Sequence, residues 1–168
     1  MKRWLFEFGF GPEATVVRGR KFVHPETAIT DAEILGVWES VSFPDTLIED
    51  LNSRLHKPQM ITTHQMRWAG GIDTYVDVFF EQDRLANVTA AIDVRAPHLA
   101  FVSDLCLVAN RHCWLAIMPN GRFFRPCVRR FMAEIQHSPA TRWIRGSLDS
   151  LVQAHLSLDA PGAASNPG

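Results

Sequence analysis

Two runs of alternating residues, 74–80 and 85–95, constrain the fold of this chain more than any other feature of the sequence. Apolar side chains recur there at every second position, which is typical of strands with one buried face. If Val78 lies opposite Val88, both runs place their apolar residues on the same face. A slip by one residue would mix apolar and polar side chains, so the pattern predicts this register. The apolar face then carries Val76, Val78, Phe80, Ala86, Val88, Ala90 and Ile92.

Further strands are predicted on both sides of this hairpin, because other segments also alternate or form short apolar runs. The sequence Ala69-Gly70-Gly71 is typical of a turn. Asn120-Gly121 favours positive φ at both positions, which predicts a type I′ hairpin turn. The run before that turn is apolar throughout, as in a central strand. The predicted strands cover residues 4–10, 18–23, 60–68, 74–80, 85–95, 113–118 and 122–125.

Helices are predicted where apolar residues recur with helical spacing. Two such stripes are Leu47, Ile48, Leu51 and Leu55, which end before Pro58, and Leu99, Val102, Cys106 and Ala109. Helix starts are predicted at Pro44-Asp45, Pro97, Pro126, Ser138-Pro139 and Ser147. Residues 30–37 begin with a capping-box pattern and fit either a helix or a strand.

This order of strands, helix, meander, helix, hairpin and helices predicts the α+β class. The sheet is expected to be mainly antiparallel and packed with helices, including C-terminal helices. The length of 168 residues fits one domain, which we place at residues 1–158. Residues 159–168 are small and rich in proline and glycine, so we expect a disordered tail.

Charge and cysteine content bound the class of function. The net charge is −1, whereas general nucleic-acid binders are strongly basic, so nucleic acid is a disfavoured partner. Three cysteines without regular spacing favour a reduced, cytoplasmic protein over a disulfide framework. Glu7 interrupts the first apolar run, and no apolar run reaches the length of a membrane span. We therefore expect neither a signal peptide nor a membrane partner.

No motif in the sequence names a chemistry. The chain has no GxSxG elbow, no GxxxxGK[ST] phosphate loop, no GxGxxG turn after a strand, and no CxxC, HxxxH or HExxH pattern. His112-Cys113 could form a zinc site with Cys106 and Cys127. However, Cys106 and Cys127 are predicted on apolar helix faces, where a free cysteine acts as a small hydrophobe. We therefore expect no metal, no cofactor and no enzymatic activity.

The predicted polar face of the meander is the best candidate for an enzyme site. In the register set by Val78 and Val88, that face carries Asp73, Tyr75, Asp77, Thr89, Asp93 and Arg95. Clustered carboxylates can hold a metal ion or divide acid and base roles, as in a small hydrolase or a metal-dependent enzyme. The alternative is structural, because antiparallel sheets commonly leave one polar face in water.

Residues 111–145 contain seven arginines and a single acid, Glu134. Helical spacing places Phe131 and Ile135 on a buried face, and it places Arg130 where it can pair with Glu134. We interpret the arginines as the rim of a core. The alternative is a nucleotide or nucleic-acid surface formed by Arg122, Arg125, Arg129 and Arg130.

The opposite charge bias lies upstream, where residues 26–50 contain seven acids and no lysine or arginine. Such a segment is either a solvated face or a patch that meets a basic protein. In the second case, complementary charge raises association rate and specificity, and an aromatic side chain can anchor the interface. The candidate partner-binding residues are Glu33, Trp38, Glu39, Asp45, Glu49 and Asp50.

A series of short patterns marks the last third of the chain. They are Ile92-Asp93-Val94-Arg95, the Asn120-Gly121 turn, Arg125-Pro126, Ser138–Trp143 and Ser147-Leu148-x-x-Leu151. Over residues 85–156 the chain resembles small bacterial immunity proteins that are encoded beside polymorphic toxins. The resemblance implies a soluble cytoplasmic domain that binds and blocks a cognate toxin delivered by a secretion system such as type VI. The predicted function is therefore a non-enzymatic protein-binding module that occludes a toxin.

Overall fold

The computed structural model describes residues 2–18, 38, 46–81 and 84–146, and its strands form one antiparallel sheet. The strands are β1 (Leu5–Pro12), β2 (Gln59–Thr62), β3 (Gln65–Ala69), β4 (Tyr75–Glu81), β5 (Arg84–Asp93), β6 (Trp114–Ile117) and β7 (Phe123–Phe124). They are ordered β2-β3-β4-β5-β1-β6-β7. The described helices are α1 (Glu13–Arg18), α2 (Leu47–Arg54), α3 (Leu99–Arg111), α4 (Val128–His137) and α5 (139–146). The predicted α+β class with C-terminal helices is confirmed.

The predicted register of the central hairpin is confirmed, because Val78 of β4 lies opposite Val88 of β5. The register shifts after Phe79, so that Phe80 pairs with Leu85. Ala86 is the extra residue of this β-bulge, and Leu85 is the side chain that is fully buried. The prediction that Ala86 belongs to the apolar face was wrong, since a bulge changes the side to which the next residue points.

The prediction of one strand over residues 60–68 was also wrong. The chain turns back at residues 63–64, and β2 pairs with β3 as a hairpin. The backbone N–H of His64 donates to the Thr62 hydroxyl at 3.2 Å, which closes this polar turn. All four residues of β2 are exposed because the strand lies at the edge of the sheet.

The core lies between one face of the sheet and the helices. β1 runs between β5 and β6, and its Phe6, Phe8 and Phe10 side chains are buried. Phe8 contacts Phe131 of α4 with ring centroids 4.6 Å apart. Burying each such side chain contributes about 1.5–3 kcal/mol. These contacts hold α4 against the sheet and so position the C-terminal part of the described chain.

The helix predictions hold in type and differ in detail. Leu47, Leu51 and Leu55 are buried, as the α2 stripe predicts. Leu99 is 52% exposed and lies outside the buried stripe of α3, which corrects its predicted burial. The helix predicted at Pro126 begins two residues later, at Val128. Ser138 accepts a hydrogen bond from the Thr141 backbone N–H at 3.2 Å and so caps α5 at the predicted start.

The turn between β6 and β7 differs from the predicted type I′ turn. Its hydrogen bonds run from the Gly121 N–H to the Met118 carbonyl at 2.8 Å, and from the Met118 N–H to the Arg122 carbonyl at 2.7 Å. Gly121 has φ 75, whereas Asn120 is not among the described residues with positive φ. Pro119 fixes a negative φ, which suits the second position of a four-residue turn followed by a glycine bulge. The returning strand covers only Phe123–Phe124, shorter than predicted.

Several predictions fall on residues outside the described ones. These are most of the strand over 18–23, the segment 30–37, the helix starting at Ser147 and the tail over 159–168. Residue 18 itself is described and ends α1, so a strand does not begin there.

Candidate functional site

The polar sheet face brings Asp73 and Asp93 together and leaves Asp77 apart. Both carboxylates of the first pair accept hydrogen bonds from the Arg95 guanidinium, at 3.0 Å and 2.6 Å. Asp77 lies four residues further along the chain from Asp73, which is roughly 13 Å in a strand. The three predicted carboxylates therefore do not form one cluster.

Asp73 is held by three donors. Its carboxylate accepts hydrogen bonds from the ammonium of Lys2, from the Trp4 indole N–H at 3.1 Å and from Arg95. The hydrogen bond from Lys2, followed by that from Trp4, lowers the pKa of Asp73 below its ordinary value. The side chain is therefore ionised at neutral pH and serves to fix Trp4 in place.

Asp93 is engaged in the same way. Arg95 donates to it from the guanidinium and from its backbone N–H, the latter at 2.9 Å. The side-chain hydrogen bond from Arg95 lowers the pKa of Asp93. A permanently ionised carboxylate with its oxygens occupied is poorly suited to accept and return a proton near neutral pH.

Asp77 is paired with Arg67, a residue that the sequence interpretation missed. The guanidinium donates to both carboxylate oxygens at 2.7 Å and 2.6 Å and lies 3.6 Å from the centroid of the Tyr75 ring. Burial raises the pKa of the Tyr75 hydroxyl above its ordinary value. The pairing of Arg67 with Asp77 follows from the β3–β4 register. This hairpin is centred on Ile72, midway between Arg67 and Asp77, and a turn centred there was the signal that could have revealed the pair.

A recess of about 370 Å³ lies on this face, with Tyr75, Asp77 and Thr89 among its lining residues. Of the three predicted carboxylates, Asp77 is the one that lines this recess, and both of its oxygens accept hydrogen bonds from Arg67. Asp73 and Asp93 line neither this recess nor the larger cleft described below. The three predicted carboxylates of the face thus do not converge in either of these two recesses.

The cysteines and His112 are not arranged as a metal site within the part of the chain that the structure describes, where no group of three or more potential ligands gathers. Cys106 is buried, and burial raises the pKa of its thiol to about 12. Cys113 and Cys127 are exposed free thiols. The imidazole of His112 lies 2.9 Å from a carboxylate oxygen of Asp50.

Two of the predicted partner-binding residues lie in the core. Trp38 is 2% exposed and packs edge-on against Trp114, with ring centroids 5.4 Å apart. Asp50 is also buried. One of its carboxylate oxygens accepts a hydrogen bond from Arg111 at 2.6 Å, and the other is the oxygen that contacts His112. The prediction that these two side chains contact a partner is corrected, because neither offers surface. Glu49 is exposed on α2, whereas Glu33, Glu39 and Asp45 lie outside the described residues.

Most arginines of the predicted basic surface are neutralised within the chain. Arg125 pairs with Glu13 at 2.7 Å, and Arg122 and Arg130 both pair with Glu134, at 3.4 Å and 3.2 Å. The predicted pair of Arg130 with Glu134 is confirmed. Arg129 is exposed and pairs with none of the described carboxylates. Three of the four arginines thus form a rim with internal partners, and the combined field of the four is reduced.

The larger recess is a cleft of about 950 Å³ between the start of β1, the β6–β7 turn and the α4–α5 junction. Within the described residues it is lined by parts of 2–7, 118–122 and 134–143. Apolar side chains make up much of its surface: Leu5, Phe6, Met118, Pro119, Ala140 and Trp143. We call this recess the terminal cleft. The sequence interpretation missed it because three distant segments form it.

A pair of tryptophans joins the terminal cleft to the polar sheet face. Trp143 of α5 is 38% exposed, and its ring centroid lies 6.2 Å from that of Trp4. The Arg95 guanidinium lies 4.4 Å from the Trp4 ring centroid, and Asp73 accepts the Trp4 indole N–H. Trp143 was present in one of the patterns that carried the resemblance, but nothing in the sequence placed it beside Trp4.

The rim of the terminal cleft carries more cations than anions. Its charged lining residues are Lys2, Arg3, Arg122, Arg142, Glu7 and Glu134. Lys2 is engaged by Asp73, and Arg122 by Glu134. Arg3 and Arg142 are exposed, and neither forms an ion pair with any carboxylate of the described ranges. The cleft is therefore an apolar recess bordered by two guanidinium groups that have no carboxylate partner among the described residues.

Comparison of the chain with protein-family models, curated proteins and solved structures found no match. Among the helices that the structure describes, none combines the length and apolar character needed to cross a membrane. The geometry of the polar sheet face and of the terminal cleft therefore carries the choice among candidate functions.

Proposed function

We propose that this chain is a non-enzymatic protein-binding module, and that it acts as an immunity protein that binds and occludes a bacterial toxin. The observation that supports a binding role is the terminal cleft, in which Trp143 stands beside Arg3 and Arg142 over an apolar surface. Tryptophan and arginine are the residues most enriched among those that dominate protein interfaces. The toxin as partner follows from the resemblance of residues 85–156 to immunity proteins.

The polar sheet face supports an enzyme less well. Each of its three predicted carboxylates, Asp73, Asp77 and Asp93, is bound by an arginine or a lysine of the same chain. Such pairs keep a carboxylate ionised and occupied, whereas a general acid or base needs a pKa near the working pH and a free oxygen. These ion pairs are better explained as supports that fix β3, β4 and the start of β1.

The proposed mechanism is steric occlusion. The partner surface packs over Trp143, and the exposed arginines pair with acidic groups around that contact. Complementary charge at such a rim mainly increases the association rate, while the buried aromatic contact slows dissociation. Glu49, which is exposed on α2, remains a candidate for a second, acidic contact.

Co-expression with the toxin encoded beside this chain tests the proposal. We expect the wild-type chain to restore growth of the toxin-producing strain and to bind the purified toxin in a calorimetric titration. Trp143→Ala should abolish or strongly reduce both effects, whereas Leu107→Ala removes an apolar side chain that is 49% exposed elsewhere and should leave both unchanged. Neither protection nor binding by the wild-type chain would overturn the proposed function.

The acidic contact is tested separately by charge reversal. Glu49→Lys changes an exposed residue, so it should reduce toxin affinity without loss of folding if α2 contributes to the interface. Reversal of Asp50 is not informative, because that carboxylate is buried against Arg111 and His112. An affinity unchanged by Glu49→Lys would restrict the interface to the terminal cleft.

A further inference from the structure

We propose that the terminal cleft takes an acidic segment of the partner protein that carries a large apolar side chain. This inference rests on the proposed function, because it specifies the partner segment that the same surface would bind. Three features of the cleft define this occupant: the apolar lining, the excess of cations over anions at the described rim, and the fixed position of Trp143.

The size and lining of the cleft suit an extended peptide. Its volume is about 950 Å³. Pockets of about 300–1,000 Å³ hold drug-sized ligands, so the cleft has room for more than one side chain. Leu5, Pro119 and Trp143 offer apolar surface there. A partner side chain such as leucine or phenylalanine gains by leaving water for this surface.

The charges at the rim of the cleft determine the charge expected of the partner residues that flank the bound apolar side chain. Among the described residues, four cations and two carboxylates line the cleft: Lys2, Arg3, Arg122 and Arg142 against Glu7 and Glu134. Arg122 and Arg130 already neutralise Glu134, so Glu7, which is half-buried, is the remaining carboxylate within the described lining. Arg3 and Arg142 stand on segments from opposite ends of the described chain. An arginine fork matches a carboxylate in geometry as well as in charge.

Trp143 is held in position before any partner arrives. It packs against Trp4, and the Trp4 indole N–H is fixed at 3.1 Å from Asp73, which Lys2 and Arg95 also bind. Ser138 caps the helix that carries Trp143. A preorganised contact side chain loses little conformational freedom on binding, which favours an anchor role.

The test is fluorescence anisotropy with labelled synthetic peptides and the full chain. The probe has a leucine-phenylalanine centre flanked by aspartates and glutamates. One matched peptide replaces the acids with lysines, and a second replaces the apolar centre with alanines. We expect saturable binding of the first peptide only, with an affinity that falls as the salt concentration rises.

Variants of the chain locate the binding. Trp143→Ala should weaken binding of the acidic peptide by about tenfold or more. The double variant Arg3→Glu/Arg142→Glu should weaken it by about fivefold or more. Arg129→Glu reverses a single charge outside the cleft, and Leu107→Ala removes an apolar group outside it. Both should bind within about twofold of wild type, and urea unfolding checks that every variant is folded.

The possible outcomes separate this inference from the proposed function. If the acidic peptide fails to bind while the intact toxin binds, the inference is overturned and the proposed function stands. If the peptide binds and the toxin does not, the cleft assignment is supported and the immunity role fails. Equal binding of the lysine peptide overturns the inference. Tighter binding of a labelled oligothymidine that Arg129→Glu weakens also overturns it, in favour of a nucleic-acid surface.

Discussion

Gly70 is the position at which a single methyl group should disturb the structure most clearly. A Cβ placed there would lie 2.3 Å from the Cγ and Cδ2 atoms and 2.8 Å from the Cβ atom of Phe101. Phe101 is 5% exposed in the first turns of α3, so its ring has no free space to enter. Gly70→Ala must therefore move either the β3–β4 turn or α3, and such overpacking costs about 1–3 kcal/mol.

Gly71→Ala is the matched control for this substitution. Its Cβ would have only Thr74 nearby, with the Cβ atoms 3.9 Å apart, which is an ordinary contact. Gly121 is the described glycine with positive φ, so neither turn glycine requires a left-handed backbone. We expect Gly71→Ala to change the free energy of unfolding by no more than about 0.5 kcal/mol.

Urea unfolding of the two variants and of the Gly70→Ala/Phe101→Ala double variant measures these energies. The double variant should lose less than the sum of the single losses, by about 1 kcal/mol or more, because truncating Phe101 removes two of the three close contacts. Equal effects of the two glycine substitutions, or full additivity with Phe101→Ala, would refute the packing described here. The same turn leads into Asp73, so Gly70→Ala should also weaken any binding that depends on Trp4.

Asp77→Ala leaves the half-buried Arg67 guanidinium without its counter-charge. The variant should therefore lower the free energy of unfolding, measured in urea, by about 1–3 kcal/mol. A loss below about 0.5 kcal/mol would show that the pair contributes little to stability. The lowered pKa values of Asp73 and Asp93 mean that their contribution to stability is complete above about pH 4 and is lost as the pH falls through the folded-state values. The melting temperature should therefore fall as the pH is lowered from 6, and it should fall less steeply in the Asp73→Asn/Asp93→Asn double variant. An equally steep fall in that variant would contradict the stabilising role assigned to the two carboxylates. A thiol reagent at pH 8 should modify two cysteines in the folded chain and the third, Cys106, only after unfolding, since burial raises its pKa to about 12.

The sequence was most informative where a periodic pattern met a single buried face. Alternation favoured the pairing of Val78 with Val88, because a slip by one residue would have placed charged groups on the buried face. The same logic identified the α2 stripe. Hydrophobic periodicity did not predict the bulge beside Leu85 or the turn at Pro119. At each place one residue changes the local backbone without changing the hydrophobic pattern.

The candidate site was harder to predict because its contacts join distant segments. The acidic segment looked uniformly solvated, yet Asp50 is buried against Arg111, which lies 61 residues away. Trp4 meets Trp143 only once β1 and α5 are placed at the same end of the sheet. Contacts between distant segments leave no periodic pattern in one sequence. Charge content therefore misassigned Asp50 to the surface, and residue type misassigned Trp38 as an interface anchor.

Hydrogen–deuterium exchange of the full chain, with and without the toxin proposed as its partner, tests the central claim most directly. The proposed interface predicts that amides become protected in residues 2–7, 118–122 and 137–143, which surround the terminal cleft. It also predicts little change in β3 and β4 away from the cleft. Protection confined to those strands, or no protection at saturating toxin, would contradict the claim that the terminal cleft is the surface that binds the partner.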